Sequence, residues 1–332
     1  MTPPDPGPVL DLIEAFRRSK TMFAAVSLGV FDRLAAGPAE AHEIRNRDED
    51  PDAFERFLNA CVSLGLLTKA GDAYANSPAA DAYLRRDSPR TLTGYINYSN
   101  DVLWQIWAHL EDGVREGTNR WKQTFGLDGP LFSAYYSTEE RKHEFLLGMH
   151  GYGMISSPGV AAAFDLSRFK RLVDLGGATG HLPMAILERY PAMETAVFDL
   201  PAVIEVAGRF TRGSRVELFA GDFFRDPLPP ADLYSLGRIL HDWGDDKVRR
   251  LLGRICEALP AGGGLLIAER LLDDDLLGPV STQMQSLNML LATEGRERSF
   301  AQYAELLGEA GFGEVEGKRT GLPLDAVLAL KK

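Results

Sequence analysis

A chain of 332 residues that is 45% apolar can form one large domain or two ordinary ones, each with a full core. Its 36 basic and 47 acidic residues leave a net charge of −11, which excludes a global electrostatic grip on nucleic acid or on an anionic membrane. No apolar run approaches the roughly 18 residues that span a bilayer, and Cys61 and Cys256 lie too far apart for metal-binding spacing. Residues 1–8 lack the basic and apolar segments of a secretory signal, so a cytoplasmic protein with reduced thiols is expected.

From Val9 to Leu34 the apolar positions recur at helical spacing, with a break at Gly29 that divides them into two helices. Pro51 opens another helix through Phe54, Leu58 and Val62, which Gly65 ends. Residues 66–69 and 73–75 then read as a small hairpin around Gly71-Asp72. Helices followed by such a hairpin predict a winged-helix module over 1–95. Acidic residues outnumber basic ones across it, and the helix that would enter a DNA groove opens with Asp50, Asp52 and Glu55. That is the wrong sign for phosphate binding. The apolar surface of residues 9–34 exceeds what one small module needs, so a second copy of the chain is the expected partner.

Residues 96–168 are the most aromatic part, with Trp104, Trp107, Trp121, Phe125, Tyr136 and Phe145 among them. Helices are expected around 103–114 and 139–154, and this segment is read as a helical linker that lines a substrate pocket. Aromatics at this spacing serve mainly helix packing, while some line a pocket for a flat apolar ligand. Gly151 and Gly153 interrupt the second helix and suggest a kink there, with Met154 beside them facing an apolar cavity.

Across 169–332 strands and helices alternate as in a doubly wound α/β sheet. The expected strands are 171–175, 195–198, 216–220, 233–240, 264–268, 314–318 and 326–330. The last two are separated by a short turn, which makes them antiparallel at the sheet's end. The first strand runs into Asp174-Leu175-Gly176-Gly177-Ala178-Thr179-Gly180, a glycine turn that opens a helix. Matching Gly177 and Gly180 to the last two glycines of G-x-G-x-x-G puts Leu175 at the first, so the dinucleotide spacing fails. Asp174 would also repel a pyrophosphate. A cationic nucleoside without phosphates fits better, and S-adenosylmethionine is the common one.

Ligands in such folds sit beyond the carboxyl ends of the strands, and the polar groups fall there. Asp174 closes the first strand, and Asp199, followed by Leu200, closes the second, where a carboxylate can accept from both ribose hydroxyls. Gly221-Asp222-Phe223 follows the third, with Asp222 placed for an adenine amino group and Phe223 for the ring face. The fourth leads into Arg238-Ile239-Leu240-His241-Asp242-Trp243. Glu269 closes the fifth, and Glu297 lies further on. A carboxylate holding one imidazole nitrogen of His241 would leave the other free to take a proton.

With Val197-Phe198-Asp199-Leu200-Pro201, Gly221-Asp222-Phe223-Phe224-Arg225-Asp226-Pro227-Leu228-Pro229, Arg238 to Trp243, Ser286-Leu287-Asn288-Met289-Leu290 and Thr293-Glu294-Gly295-Arg296-Glu297-Arg298, the sequence resembles the S-adenosylmethionine-dependent small-molecule O-methyltransferases of the plant caffeate and isoflavone type, and among them the acetylserotonin methyltransferase-like branch. The likeness covers nearly the whole chain. It implies a Rossmann-like methyltransferase domain, an N-terminal winged-helix domain that forms a homodimer, a small-molecule methyl acceptor and no metal. It also implies His241 as general base between Glu269 and Glu297. Tyr136, Asp174, Gly176, Asp199, Leu200, Gly221, Asp222, Phe223 and Arg238 would then meet the cofactor, and Asp242, Trp243, Asn288 and Met154 the acceptor. Two positions depart from that branch: Gly153 replaces a Trp near the cofactor, and Ala292 replaces a Gln facing the substrate. Both are expected to enlarge or depolarise the pocket.

Other readings stay open from the residues. A thioether acceptor has no proton to lose and would leave His241 a positioning group. A silent cofactor-binding regulator would need neither His241 nor its carboxylates. A dehydrogenase conflicts with the failed dinucleotide spacing.

Overall fold

The computed structural model describes residues 3–128 and 138–332. Its contacts divide the chain into Met1–Val102 and Leu103–Lys332. The boundary between these units therefore falls at 102/103, whereas the sequence reading draws one at 95.

In the first unit Gly29, at φ +70°, separates the Gly7–Ser27 helix from the short Val30–Arg33 helix, in a backbone region that glycine enters without steric cost. The helix Pro51–Ser63 starts where Pro51 presets φ and Asp50 accepts a hydrogen bond from the Ala53 amide at 2.9 Å. The hairpin pairs β2 (Leu67–Ala70) with β3 (Ala73–Asn76), and a two-residue strand, β1 (Ala39–Glu40), adds to β3 in the order β1-β3-β2. β1 has no period-2 pattern to read at its length. Phe31, Leu58, Cys61, Leu67 and Tyr74 form the core beneath. Burial pushes the Cys61 thiol up to about 11, so it is an inert packing group. On the Gly7–Ser27 helix Leu12 and Phe16 remain 74% and 54% exposed.

The second unit is built on seven strands in the order β11-β12-β8-β7-β4-β5-β6. These are β4 (Arg171–Leu175), β5 (Glu194–Asp199), β6 (Val216–Ala220), β7 (Leu233–Gly237), β8 (Gly264–Glu269), β11 (Phe312–Lys318) and β12 (Asp325–Lys331). Five strands are parallel, while β12 runs antiparallel to both β8 and β11. A two-stranded ladder of β9 (Leu271–Leu272) and β10 (Arg298–Ser299) lies outside this sheet.

Side chains alternate faces along a strand, and both faces here are apolar. Val173, Tyr234, Leu265 and Ile267 pack with the helices Asp245–Ala258 and Phe300–Glu309. Leu172, Leu233, Leu266 and Ala326 pack on the other side with Leu182 and Ile186 of the His181–Arg189 helix. Chain crossovers diverge between β4 and β7, which makes the cleft above their carboxyl ends the natural ligand site.

One expectation needs correction. The strand read over 233–240 stops at Gly237, because Arg238 takes φ +57° and residues Leu240–Asp242 form a 3-10 turn. Apolar residues continue past the break because they are buried, not because they are extended. Among the described residues no helix is long and apolar enough to cross a membrane.

Leu265 is fully buried in a central strand. Leu265→Ala is expected to cost about 2–5 kcal/mol, read as a lowered urea midpoint at unchanged slope.

Candidate active site

The glycine turn after β4 depends on missing side chains. Gly176 sits at φ +70°, and a Cβ there would lie 2.4 Å from Ile239 Cδ1. A Cβ on Gly177 would lie 2.6 Å from the Asp174 carboxylate. Asp199 braces the turn from β5: its Oδ2 accepts from the Ala178 amide at 2.9 Å and its Oδ1 from the Leu200 amide at 2.7 Å. Asp174 Oδ1 accepts from the Ser235 hydroxyl at 2.7 Å.

These residues open onto a cavity of about 620 Å³. Of the positions expected to meet a ligand, Asp174, Gly176, Asp199, Leu200, Gly221, Asp222, Phe223, Arg238, Asp242 and Trp243 line it. Gly221 carries no Cβ because one would lie 2.4 Å from the Phe198 ring. Phe223, Phe224 and Trp243 make an aromatic wall, with edge-on contacts at centroid distances of 4.9 and 5.1 Å. Burial pushes Asp174 and Asp242 up to about 7 and Asp199 up to about 6.

Beyond Arg238 the backbone amides of Ile239, Leu240 and His241 all point at Glu269 Oε1, at 3.0, 2.9 and 3.4 Å. Arg298 grips the same turn from its carbonyl side, donating to Leu240 O and Trp243 O at 3.0 Å each, and it pairs with Asp245 at 2.7 Å. Within this clamp His241 is 4% exposed. Its Nδ1 lies 2.7 Å from Glu297 Oε1 and 3.3 Å from Glu269 Oε2, and its Nε2 lies 3.8 Å from Asp242 Oδ1. The three side chains His241, Glu269 and Glu297 converge closely enough for a cation. Within that group His241 Nδ1 and Glu297 Oε1 are in direct hydrogen-bond contact at 2.7 Å.

Not every expected residue reaches the cavity. His241, Glu269 and Glu297 are buried and do not line it; His241 Nε2 lies 3.8 Å from Asp242, which does. Asn288 is buried and accepts from the Trp107 indole at 2.9 Å, so it joins two helices rather than lining the cavity. Met154 is 41% exposed and also lies outside the cavity wall. In the helix Glu139–Ala163 the wall residues are Phe145, Leu146, Met149, Gly153, Ser156, Ser157 and Val160, and Met154 is turned about 100° from Gly153. The helix runs unbroken past Gly151 and Gly153. Tyr136 falls outside the described residues. Gly153 does not enlarge the pocket as expected, because the ring of His181 occupies the space beside it. His181 and Ser157 carry no motif signal, and only their positions reveal them; Arg298 closes a quoted motif, but its grip on the His241 turn is visible only in the structure.

A model of the O-methyltransferase domain matches residues 107–313, and one of the O-methyltransferase dimerisation domain matches residues 10–86. The chain belongs to the O-methyltransferase family. Acetylserotonin O-methyltransferase of Bos taurus is 44% identical over 327 residues, 95% of each chain. A probable bifunctional dTTP/UTP pyrophosphatase/methyltransferase protein of Homo sapiens is 43% identical over 337 residues; the match takes in 99% of this chain and 54% of that protein. The chain thus spans about half the length of that relative. The crystal structure of human N-acetylserotonin methyltransferase in complex with S-adenosylmethionine superposes with a TM-score of 0.93 at 40% identity, covering 100% of this chain and 99% of that one.

This methyltransferase is S-adenosylmethionine-dependent, and its cavity has the chemistry that cofactor needs. Buried carboxyls suit ribose hydroxyls and a sulfonium, and an aromatic wall suits adenine.

Five carboxyls hold their protons more tightly here than in the unfolded chain: Asp174, Asp199 and Asp242, with Glu269 raised to about 6 and Glu297 to about 8. The folded state therefore binds extra protons between about pH 4 and pH 8, and their stabilising contribution is lost as pH rises through that window. The melting temperature of the cofactor-free protein is expected to fall from about pH 5 to about pH 8.5, and Glu297→Gln is expected to flatten the upper part of that decline.

Proposed function

We propose that this enzyme methylates a hydroxyl of a small aromatic molecule, with His241 removing the hydroxyl proton. The observation that carries this reading is the 2.7 Å contact between His241 Nδ1 and the buried Glu297 Oε1. An ionised carboxylate at Nδ1 keeps that nitrogen a donor and leaves the lone pair on Nε2. Nε2 is the nitrogen on the side of Asp242, which lines the cavity. A phenol, with a pKa of about 10, is a weak nucleophile at neutral pH, so a base at this position speeds the reaction. Once Nε2 is protonated, the imidazolium stands against Glu297 and Glu269, which stabilise its charge.

S-adenosylmethionine, when bound, supplies an electrophilic methyl on a sulfonium that is already a good leaving group. The chain's larger task is therefore alignment. Asp199 accepts from the ribose hydroxyls, and Leu200, Gly221, Asp222 and Phe223 frame the adenine. Asp174, Gly176 and Arg238 close the cavity around the cofactor, with Tyr136 proposed as a further contact. Asp242 and Trp243 face the acceptor, whose flat ring suits the wall of Phe223, Phe224 and Trp243. The relatives named for acetylserotonin support a hydroxyindole or a similar phenol. In this reading Asn288 and Met154 act only by shaping neighbouring helices.

His241→Ala is expected to lower kcat roughly 10²- to 10⁴-fold, while calorimetry finds S-adenosylhomocysteine binding unchanged. Near-full activity would exclude proton abstraction and favour a sulfur acceptor. Burial pushes Glu297 up to about 8, against Arg238, Arg270 and Arg298, which pull it down. Ionised Glu297 is the form that leaves Nε2 basic, so kcat is expected to rise toward about pH 8 and then level off.

The exposed Leu12 and Phe16 of the first helix support a homodimer formed through the dimerisation domain. Leu12→Asp with Phe16→Asp is expected to shift the protein from dimer to monomer in light scattering at micromolar concentration.

A further inference from the structure

His181 is the first residue of the helix that follows the glycine turn, set in place by Gly180 at φ +77°. Its imidazole sits where a side chain at position 153 would begin. A Cβ built on Gly153 would lie 2.3 Å from His181 Cγ and Cδ2 and 2.5 Å from Nε2. His181 Nδ1 lies 2.8 Å from the Ser157 hydroxyl, one helical turn beyond Gly153 on the same face. Gly153, Ser157 and His181 all line the cavity. A bare glycine, a hydroxyl and an imidazole thus form one fitted unit, contributed by two helices.

Building on the cofactor reading above, we propose that His181 is a cofactor-positioning residue, anchored by Ser157 through Nδ1 and using Nε2 to hold the amino-acid end of S-adenosylmethionine. Location selects that end. Asp199, Gly221 and Phe223, the residues proposed for the nucleoside, follow β5 and β6, whereas His181 opens the helix after β4 and has Arg238, which follows β7, nearby. The amino-acid arm carries a carboxylate, and beside Arg238 His181 adds a neutral donor in a cavity that Asp174, Asp199 and Asp242 also line. In the tautomer in which Ser157 donates to Nδ1, Nε2 carries the hydrogen and is such a donor. Burial, with His150 and Arg238 nearby, holds His181 down to about 3, so the ring acts as a neutral hydrogen-bonding group.

The test compares two ligands by calorimetry. S-adenosylhomocysteine has the amino-acid arm, and 5′-methylthioadenosine has the same nucleoside and a thioether sulfur without it. His181→Ala is expected to weaken S-adenosylhomocysteine binding about ten- to a hundredfold, the range for one hydrogen bond to a charged group, and to change methylthioadenosine binding less than about twofold. Gly153→Ala reads the same contact without altering the histidine itself; alanine favours the helix while its Cβ crowds the ring, and the melting temperature measured alongside shows that the variant is folded. Its Cβ should displace the ring and weaken S-adenosylhomocysteine alone, with no added loss in the His181→Ala background. Unchanged S-adenosylhomocysteine affinity in either single variant overturns the proposal, as does an equal loss for both ligands. A wild-type protein that binds neither ligand would instead overturn the cofactor reading itself.

Discussion

Three backbone amides converging on one buried carboxylate oxygen govern this active site. Glu269 closes β8 and receives the N–H groups of Ile239, Leu240 and His241. Without that acceptor the break at Arg238 would leave three buried donors unpaired, each costing about 1–3 kcal/mol. With it, the chain leaves β7 abruptly, turns in a single 3-10 step and delivers His241 against Glu297. Arg298 completes the grip from the carbonyl side. The same carboxylate that shapes the backbone stands 3.3 Å from His241 Nδ1, so one group holds both the turn and the imidazole.

The cofactor half of the cleft repeats this logic with a different acid. Asp199 ties the glycine turn of β4 to the start of the next helix through the Ala178 and Leu200 amides. Each of its oxygens accepts one amide and keeps a second lone pair for a ligand. Both halves are therefore rigid before anything binds, which suits a reaction limited by alignment. The cost is electrostatic. Several carboxyls crowd into a cavity whose walls desolvate them, and their raised pKa values record that crowding.

Much of this was legible in the sequence. The acids at successive strand ends stand out because short, nearly continuous apolar runs mark where each strand stops, and Asp174, Asp199 and Asp222 fall at or just past those stops. The alternation of strands with helices also reveals the doubly wound sheet. Legibility fails where burial and extension diverge. Leu240 is apolar because it is buried in a turn, and it reads as strand. It fails again where the signal is an absence. Gly153 looks like a lost side chain, and only the three-dimensional structure puts His181, 28 positions later, in the same space. Met154 and Asn288 illustrate a third limit. Adjacency in sequence to cavity residues says nothing about helix phase, and an Asn on a buried face serves a Trp as readily as a ligand.

Gly295 packs against the catalytic turn so closely that a Cβ would lie 2.2 Å from His241 O and 2.6 Å from Trp243 N. The segment that carries Glu297 and the segment that carries His241 are thus interlocked backbone to backbone. Neither can drift while the other stays. A lineage exploring new acceptors on this scaffold has little freedom in either segment. Its variation must accumulate in the helical walls around them, where a changed side chain alters the shape of the cavity and leaves the His241 turn untouched.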